Sequence, residues 1–260
     1  MVLAQRRADV SEALVVFTCI AGGYDELPPV RAPEPGVRYV CFSDGSVAPA
    51  DGWEMRPLPR DFASAALANR YVKMHPHVLF PEFALSVYVD GNMAFGPGVK
   101  ALADRALADH DMAAYGHPFR DCVYEESVEC AAVGHDWIWN YERHVNRYRR
   151  EGMPAKLGMF ECNILLRRHN APAVVALMEA WWLEYTRGAK RDQLSFPYVL
   201  WRLPVRLNNL GQSGIRSGIG MFRLHANHRS DGRLRQLRGY ANRALPPFWL
   251  AARRTGWKPR

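Results

Sequence analysis

A short apolar segment that ends on a carboxylate constrains the fold of this chain more than any other feature. Residues 84–89 read Ala-Leu-Ser-Val-Tyr-Val, and Asp90 follows them directly. A run of this length, rich in β-branched and aromatic residues, is typical of a buried strand. Open α/β folds bind ligands at the carboxyl edge of their sheet. The segment therefore predicts a central strand whose end presents Asp90 to a ligand.

The segments around this strand alternate between strand-like and helix-like patterns. Strands are predicted at 13–21, 39–43, 53–56, 84–89, 112–115 and 159–166, and helices at 63–74, 98–109, 124–133, 136–150 and 170–185, the last capped by Asn170. A chain of 260 residues with 48% hydrophobic residues can bury a full core. The pattern predicts an α/β domain with a mixed, mainly parallel central sheet flanked by helices.

The apolar runs and the cysteines bear on the cellular compartment. No run approaches the roughly 20 apolar residues that a membrane-spanning helix needs, and Asp9 and Glu12 precede the first hydrophobic stretch, which is atypical of a signal peptide. The five cysteines form no CxxC pair, and Cys19, Cys41 and Cys162 lie in apolar segments. We therefore expect a cytoplasmic protein with reduced thiols.

The formal net charge of +8 lies entirely in the last part of the chain. Residues 229–260 contain nine Lys or Arg and one Asp, so residues 1–228 are formally neutral. Interleaved with these cations are Leu234, Leu237, Tyr240, Phe248, Trp249 and Trp257. The sequence predicts a domain over 1–228 and a basic aromatic tail over 229–260. That tail suits an anionic membrane surface, or it packs on the domain. Nucleic acid is not expected, because the remaining chain offers no basic face.

Asp90 and Asn92 form a candidate metal site. They flank Gly91, so the side-chain oxygens of both residues could face one cation. Oxygen ligands suit Mg or Mn and not zinc. His225 and His228 could add an imidazole to this site, or they could be structural. A plain Asp-Gly turn after a strand is the alternative for Asp90 itself.

Two cations and an amide could contact an anionic substrate. Arg70 and Lys73 are three positions apart, hence on one face of the predicted helix 63–74. They could neutralise a diphosphate, or they could form a solvated basic face. Asn163 interrupts the apolar stretch 159–166 and, if buried, needs a hydrogen-bond partner. A substrate hydroxyl would serve, and so would a backbone carbonyl.

A second polar turn, Arg191-Asp192-Gln193, opens an aromatic segment that is predicted to be helical. Asp192 is placed to cap a helix that begins near Leu194. The chain lacks HExxH, GxSxG, a P-loop and a GxGxxG after the first strand. These absences argue against a zinc protease, a serine hydrolase, a P-loop NTPase and a dinucleotide oxidoreductase.

Two strings identify a family resemblance. The string Tyr88-Val89-Asp90-Gly91-Asn92, together with the string that runs from Arg191 to Leu200, resembles the glycosyltransferase-like domain of plant proteins linked to mucilage and turgor phenotypes and of their bacterial relatives. The similarity extends from the first predicted strand to about Leu207. That domain is in turn similar to retaining transferases of glycosyltransferase family 8, which have a GT-A fold. The resemblance implies a GT-A-like domain.

The resemblance also implies roles for the metal-site residues. Asp90 and Asn92 would occupy the place of the Asp-x-Asp motif, and His225 or His228 would complete the site for Mn or Mg. The chain departs from the family 8 pattern because Asn92 replaces a carboxylate and the His-Phe and Lys-Pro-Trp phosphate segment is missing. An amide is a weaker cation ligand than a carboxylate.

The resemblance implies roles for the remaining candidates as well. Arg70 and Lys73 would lie near the donor diphosphate or near the first carboxylate of the metal motif, and they could partly substitute for the metal. The Asp192-Gln193 pair would lie beside the transferred sugar. The expected function is transfer of a sugar from a nucleotide sugar of the UDP-linked class to a glycan or lipid-linked acceptor. A non-catalytic nucleotide- or sugar-binding protein is the alternative. A hydrolase of lipid-like substrates is a third option, but no nucleophile-base pair stands out for it.

Overall fold

A computed structural model of the chain describes residues 14–215, 218, 220–225 and 232–245. The strands are β1 (Leu14–Ile20), β2 (Val37–Ser43), β3 (Glu54–Pro57), β4 (Leu85–Val89), β5 (Met93–Phe95), β6 (Met112–Gly116), β7 (Phe160–Arg167), β8 (Leu207–Asn209) and β9 (Phe222–Leu224). The helices are α1 (Ala65–Met74), α2 (Pro76–Leu79), α3 (Val99–Ala106), α4 (Val123–Ala132), α5 (Ile138–Arg150), α6 (Pro172–Arg187), α7 (Asp192–Arg202) and α8 (Gly232–Ala244).

Seven strands form one mixed sheet in the order β3-β2-β1-β4-β7-β6-β8. Neighbouring strands are parallel except at β7, which runs antiparallel to both β4 and β6. Strands β5 and β9 form a separate antiparallel pair. Helices flank the sheet, so the predicted α/β class with a mixed, mainly parallel sheet is confirmed.

Strand β1 shows how the sheet separates the core into two layers. All seven of its residues are buried, as expected for a central strand covered on both faces. Val15 and Phe17 belong to a large apolar cluster that also contains side chains of α1 and α4–α7. Leu14 and Val16 point to the other face and belong to a smaller cluster that includes α3. All five cysteines are buried free thiols.

The predicted capping role of Asn170 is wrong. Helix α6 begins at Pro172, and Ala171 precedes it without a side-chain cap. The Asn170 Nδ2 instead donates to the backbone oxygens of Pro81 and Phe83, at 3.0 and 2.9 Å. These bonds tie the start of α6 to the loop before β4. Because the helix starts at Pro172, Ala171 and not Asn170 occupies the N-cap position, and the Asn170 side chain is held toward that loop.

Helix α8 packs on the end of α4. A Cβ on Gly134 would lie 1.9 Å from the Arg235 backbone oxygen, and one on Gly239 would lie 2.7 Å from the Ala132 oxygen, so only glycine permits this approach. The buried Asn242 amide donates to Ala131 O at 2.9 Å and to Asp136 O at 2.8 Å. Part of the predicted tail 229–260 thus lies against the domain. Among the described residues, no helix combines the length and the apolarity needed to cross a bilayer.

The buried His169 predicts a loss of stability in mild acid. Its side chain is fully buried and its Nε2 lies 2.9 Å from Phe80 O. Burial and, to a smaller extent, the nearby Arg167 lower its pKa to about 4, although the hydrogen bond to Phe80 O opposes this shift. The unfolded chain takes up this proton near pH 6.5, so the free energy of unfolding should fall by about 2 kcal/mol between about pH 7 and pH 5. Urea unfolding should show a flatter pH dependence in His169→Gln, and an unchanged dependence would contradict this assignment.

Candidate functional site

A cavity of about 560 Å³ opens at the carboxyl ends of β1 and β4. Its wall contains six of the residues singled out from sequence: Arg70, Lys73, Asp90, Asn163, Asp192 and Gln193. Strand β7 is antiparallel to β4, which brings its first half to the same edge of the sheet. The Asp90 backbone N–H donates to Asn163 O at 2.9 Å, so the two residues adjoin.

The remaining predicted metal ligands lie on the β5 and β9 side of this edge. Asn92 is 2% exposed, and its backbone oxygen accepts from the His225 N–H at 2.8 Å. The pairing of β5 with β9 therefore places the exposed His225 next to Asn92. His228 lies outside the described residues.

A buried ion-pair network centres on Asp192. Its side chain is 3% exposed, and its Oδ2 accepts a 2.6 Å hydrogen bond from the Lys73 Nζ. The Arg70 Nε lies 3.0 Å from the same oxygen. Burial alone would raise the pKa of Asp192, but Arg70, Lys73 and Arg191 together lower it below its usual range. Asp192 therefore stays ionised and holds two cations at the cavity wall.

Helix α7 begins two residues earlier than expected, which changes the local role of Asp192. Arg191 is the residue before the helix, and Asp192 lies in its first turn. The predicted cap of a helix starting near Leu194 is therefore wrong. The Asp192 Oδ1 still accepts from the adjacent Gln193 N–H, at 3.1 Å, while the rest of its bonding is to α1. The Asp192 carboxylate therefore binds mainly to Arg70 and Lys73, which are distant in the sequence.

Asp90 joins the same network from the end of β4. Lys73 Nζ lies 3.7 Å from the Asp90 Oδ1, and that oxygen accepts a 2.9 Å hydrogen bond from the Tyr88 hydroxyl. Burial raises the pKa of Tyr88, and Asp90 raises it further, so the phenol keeps its proton and donates. About a quarter of the Asp90 side chain is exposed. Asp90 is thus available to a ligand and partly neutralised by Lys73.

Asn163 offers an unused acceptor to the cavity. Its Oδ1 is buried and has no hydrogen-bond partner among the described residues. A buried polar atom without a partner is costly, which makes a ligand donor favourable at this position. Of the two partners expected from sequence, a substrate hydroxyl can donate to this oxygen, whereas a backbone carbonyl could accept only from the Asn163 Nδ2.

Several residues of the cavity were missed by sequence reasoning. They are Asp25, His135, Glu161, Lys190, Arg191 and Arg235. Asp90 directly follows β4, whereas Asp25 lies in the loop after β1, so a search for carboxylates in the whole loop after each strand would have located it. Arg191 stands inside a string already singled out. Arg235 had no such signal, because it is one arginine among many in a basic segment.

Arg235 reaches the cavity from α8. Its NH2 group lies 3.1 Å from the His135 Nε2, and its Nε donates to Val133 O at 3.0 Å. Burial, together with the charges of Arg191 and Arg235, lowers the pKa of His135 to about 3. The imidazole is therefore neutral and its Nε2 can accept from Arg235. The cavity has five cationic side chains against four carboxylates, an excess of one positive charge.

The described residues do not assemble a full metal site. They contain no group of three or more His, Cys, Asp or Glu that could hold a metal ion. Asp90 is the one carboxylate of the predicted set, and the Asn92 side chain is buried. Mg and Mn favour several oxygen ligands, usually including carboxylates. The metal therefore stays a prediction, and no step proposed below depends on it.

A larger cavity, of about 1010 Å³, adjoins the first. Ala21 and Ala65 contribute to the walls of both cavities. The larger cavity is lined mainly by the loops after β2 and β3, including Asp44, Arg60 and Phe62. The two cavities thus form one continuous surface along the carboxyl edge of the sheet.

Comparison with known families gives one match that covers most of the chain. The family model described as "TOD1/MUCI70, glycosyltransferase-like domain" matches residues 59–220. The matched range contains 14 of the 21 residues that line the smaller cavity, including those on α1, β7 and α7. No curated protein matches the chain.

Two solved glycosyltransferase structures also align with this chain. One is a WbbM bifunctional glycosyltransferase in its apo form, at 13% identity and a TM-score of 0.47 over 77% of this chain. This chain spans only 39% of that protein. The other is mouse xyloside xylosyltransferase 1, also apo, at 12% identity and a TM-score of 0.44 over 76% of this chain and 84% of that one.

Proposed function

The chain belongs to the TOD1/MUCI70 glycosyltransferase-like domain family, and on that premise we propose that it is a cytoplasmic, GT-A-like glycosyltransferase. It moves a sugar from a nucleotide sugar of the UDP-linked class to a glycan or a lipid-linked acceptor. The observation that carries this proposal is the cavity at the carboxyl edge of the sheet, which five cationic side chains line and where the buried Asp192 holds two of them, Arg70 and Lys73. A diphosphate is the part of a nucleotide sugar that such a site would recognise.

The two adjoining cavities suggest how the donor lies. The diphosphate occupies the smaller one, against Arg70, Arg191 and Arg235, which line it from three different elements. The nucleoside extends past Ala21 and Ala65 into the larger cavity. This arrangement puts the negative charge of the donor where the chain concentrates its cations.

The proposed catalysis is electrostatic. Negative charge develops on the departing diphosphate, and cations that are already in position stabilise it without further reorganisation. Asp192 acts as a positioning residue, because it holds Arg70 and Lys73 in place before the donor binds. Gln193 and Asn163 line the same cavity and are proposed to orient the transferred sugar, the Asn163 Oδ1 by accepting from a hydroxyl.

Donor binding and turnover test this proposal. The full chain should bind UDP in isothermal titration, and with a panel of nucleotide sugars and acceptors it should release a nucleoside diphosphate. Binding without release would favour the non-catalytic alternative. Absence of both would contradict the proposal. Exposed Arg105→Gln is a matched control for Arg70→Gln, because only Arg70 lines the cavity. UDP affinity should fall in Arg70→Gln and stay unchanged in Arg105→Gln.

The same titration tests the metal. We expect UDP binding to persist in EDTA, since the chain supplies its own cations, and to tighten with Mn if Asp90 and Asn92 hold the ion together with His225 or His228. Asp90→Asn should then remove the tightening by Mn and leave the affinity in EDTA nearly unchanged. Equal Mn effects in both proteins would argue against a metal at Asp90.

A further inference from the structure

The outer face of α8 carries a line of exposed apolar side chains. Leu234, Leu237 and Tyr240 are 60%, 64% and 66% exposed. No other large apolar side chain in the described part of the chain is as exposed, the next being Phe119 at 57%. Because these residues are spaced by three, they lie along one side of the helix. We refer to Leu234, Leu237 and Tyr240 as the α8 stripe.

The opposite face of α8 is already occupied by the domain. Gly239 and Asn242 are buried against α4 and the residues that follow it. Arg235 and Arg238 donate to the backbone oxygens of Val133 and His135. The α8 stripe is therefore not needed to hold the helix on the domain. An apolar surface that packing leaves open is a candidate contact for a partner.

The surroundings of the α8 stripe are basic and aromatic. The helix contains four arginines and no acidic residue, and Arg233 and Arg243 are exposed like the stripe itself. Arg238 lies over the Trp137 ring at 5.9 Å, and Trp137 stacks on Trp139 at 4.7 Å. Trp139 is 44% exposed. Arginine, leucine and exposed aromatic rings together are typical of helices that lie in a membrane interface.

We propose that the outer face of α8 binds an anionic membrane surface. Leu234, Leu237 and Tyr240 enter the boundary between headgroups and acyl chains, and Arg233 and Arg243 contact the anionic headgroups. Charge complementarity favours this occupant over a second copy of the chain. In a twofold dimer through this face, the arginines of one helix would approach those of the other.

This surface lies close to the candidate cavity. Arg235 lines that cavity from the inner side of the same helix, so the two are separated by about one helix diameter, roughly 10 Å. Docking through the α8 stripe would thus hold the cavity near the membrane. The proposal concerns binding alone and does not depend on the reaction that the cavity carries out.

Vesicle co-sedimentation of the full chain tests the proposal. Phosphatidylcholine vesicles containing phosphatidylserine should bind the protein at low salt, and phosphatidylcholine alone should bind it weakly. Arg233→Gln with Arg243→Gln should weaken binding about 30-fold, since each cation near such a surface contributes roughly 1 kcal/mol. The serine variant, which combines Leu234→Ser, Leu237→Ser and Tyr240→Ser, should weaken vesicle binding by at least about tenfold.

Matched variants separate this surface from general effects. Arg31→Gln with Arg105→Gln changes exposed arginines elsewhere, and Leu157→Ser with Leu183→Ser changes exposed leucines elsewhere. Both controls should bind vesicles like the unmodified protein. Equal losses in the controls and in the α8 variants would overturn the proposal, and so would equal binding to neutral and anionic vesicles.

Two further measurements exclude other occupants of the α8 stripe. Light scattering should give the same mass for the unmodified protein and the serine variant, and their melting temperatures should agree within a few degrees. A loss of mass would show that a second copy covers the stripe. A large fall in melting temperature would show that the chain's own residues cover it. Either result would overturn the proposal.

Discussion

Replacing Asp192 with asparagine is expected to lower the free energy of unfolding by about 3–5 kcal/mol, because it removes the nearest counter-charge of the buried Lys73 and of the partly buried Arg70. Lys73 is 1% exposed and bonds the Asp192 Oδ2 at 2.6 Å, while Arg70 lies 3.0 Å from the same oxygen. Lys73 cannot reach bulk water without movement of α1, whereas a quarter of the Arg70 side chain is already exposed. Urea unfolding near neutral pH measures this loss.

The same variant should also lose donor binding. Without the carboxylate, Lys73 and Arg70 repel each other and no longer hold one arrangement at the cavity wall. We expect UDP affinity to fall by at least about tenfold, equivalent to about 1.4 kcal/mol. This loss is smaller than the loss of stability, because other cations of the cavity remain.

Asp104→Asn is a matched control for this substitution. Asp104 forms an exposed pair with Lys100 at 2.8 Å, four residues apart on α3. Such pairs contribute only about 0.3–0.5 kcal/mol. If Asp192→Asn were no less stable than Asp104→Asn and bound UDP equally well, the network would have neither of the roles assigned to it.

Replacing Gly134 with alanine is expected to displace α8 from the domain. The new Cβ would lie 1.9 Å from the Arg235 backbone oxygen, a distance at which one of the two segments must move. Gly134 also has φ +76°, where a side chain adds strain. Overpacking of this kind costs about 1–3 kcal/mol, and the strain adds about 1 kcal/mol.

Gly36→Ala separates the two contributions. Gly36 has φ +75°, but an added Cβ there meets no atom within 4 Å. It should cost only the strain, about 1 kcal/mol. Urea unfolding gives the difference between the two variants. Limited proteolysis should cleave α8 faster in Gly134→Ala alone, and UDP should bind it more weakly because Arg235 leaves the cavity. Equal behaviour of the two variants would contradict the tight docking of α8.

The main elements and the family followed from local patterns in the chain. The apolar run 84–89 is buried as β4, and each of the other predicted strands and helices corresponds to an observed element. The strings 88–92 and 191–200 identified the family that the comparison confirms. Short elements such as β5, β8 and β9 were missed, because three residues carry too little periodicity to be recognised. Helix α8 was missed as well, since its residues were assigned to a basic tail.

The candidate site was only partly predictable. Arg70, Lys73, Asp90, Asn163, Asp192 and Gln193 were singled out, and all six line one cavity. Their chemical roles remain predictions. Sequence reasoning treated Lys73 and Asp192 as parts of different functions, whereas the structure joins them in one ion pair across 119 positions. The cap expected of Asp192 failed for the same reason, since α1 supplies stronger partners than its own helix.

The sequence by itself determined the fold class, the family and the edge of the sheet where polar residues gather, because each depends on neighbours in the chain. Only the tertiary structure decided which charges pair and that Arg235 enters the cavity. Those outcomes depend on how α1, α7 and α8 pack, through contacts such as that of Gly134 with Arg235. Ion pairs between buried side chains depend on separations of a few ångströms, and spacing along the chain does not specify such separations between distant segments.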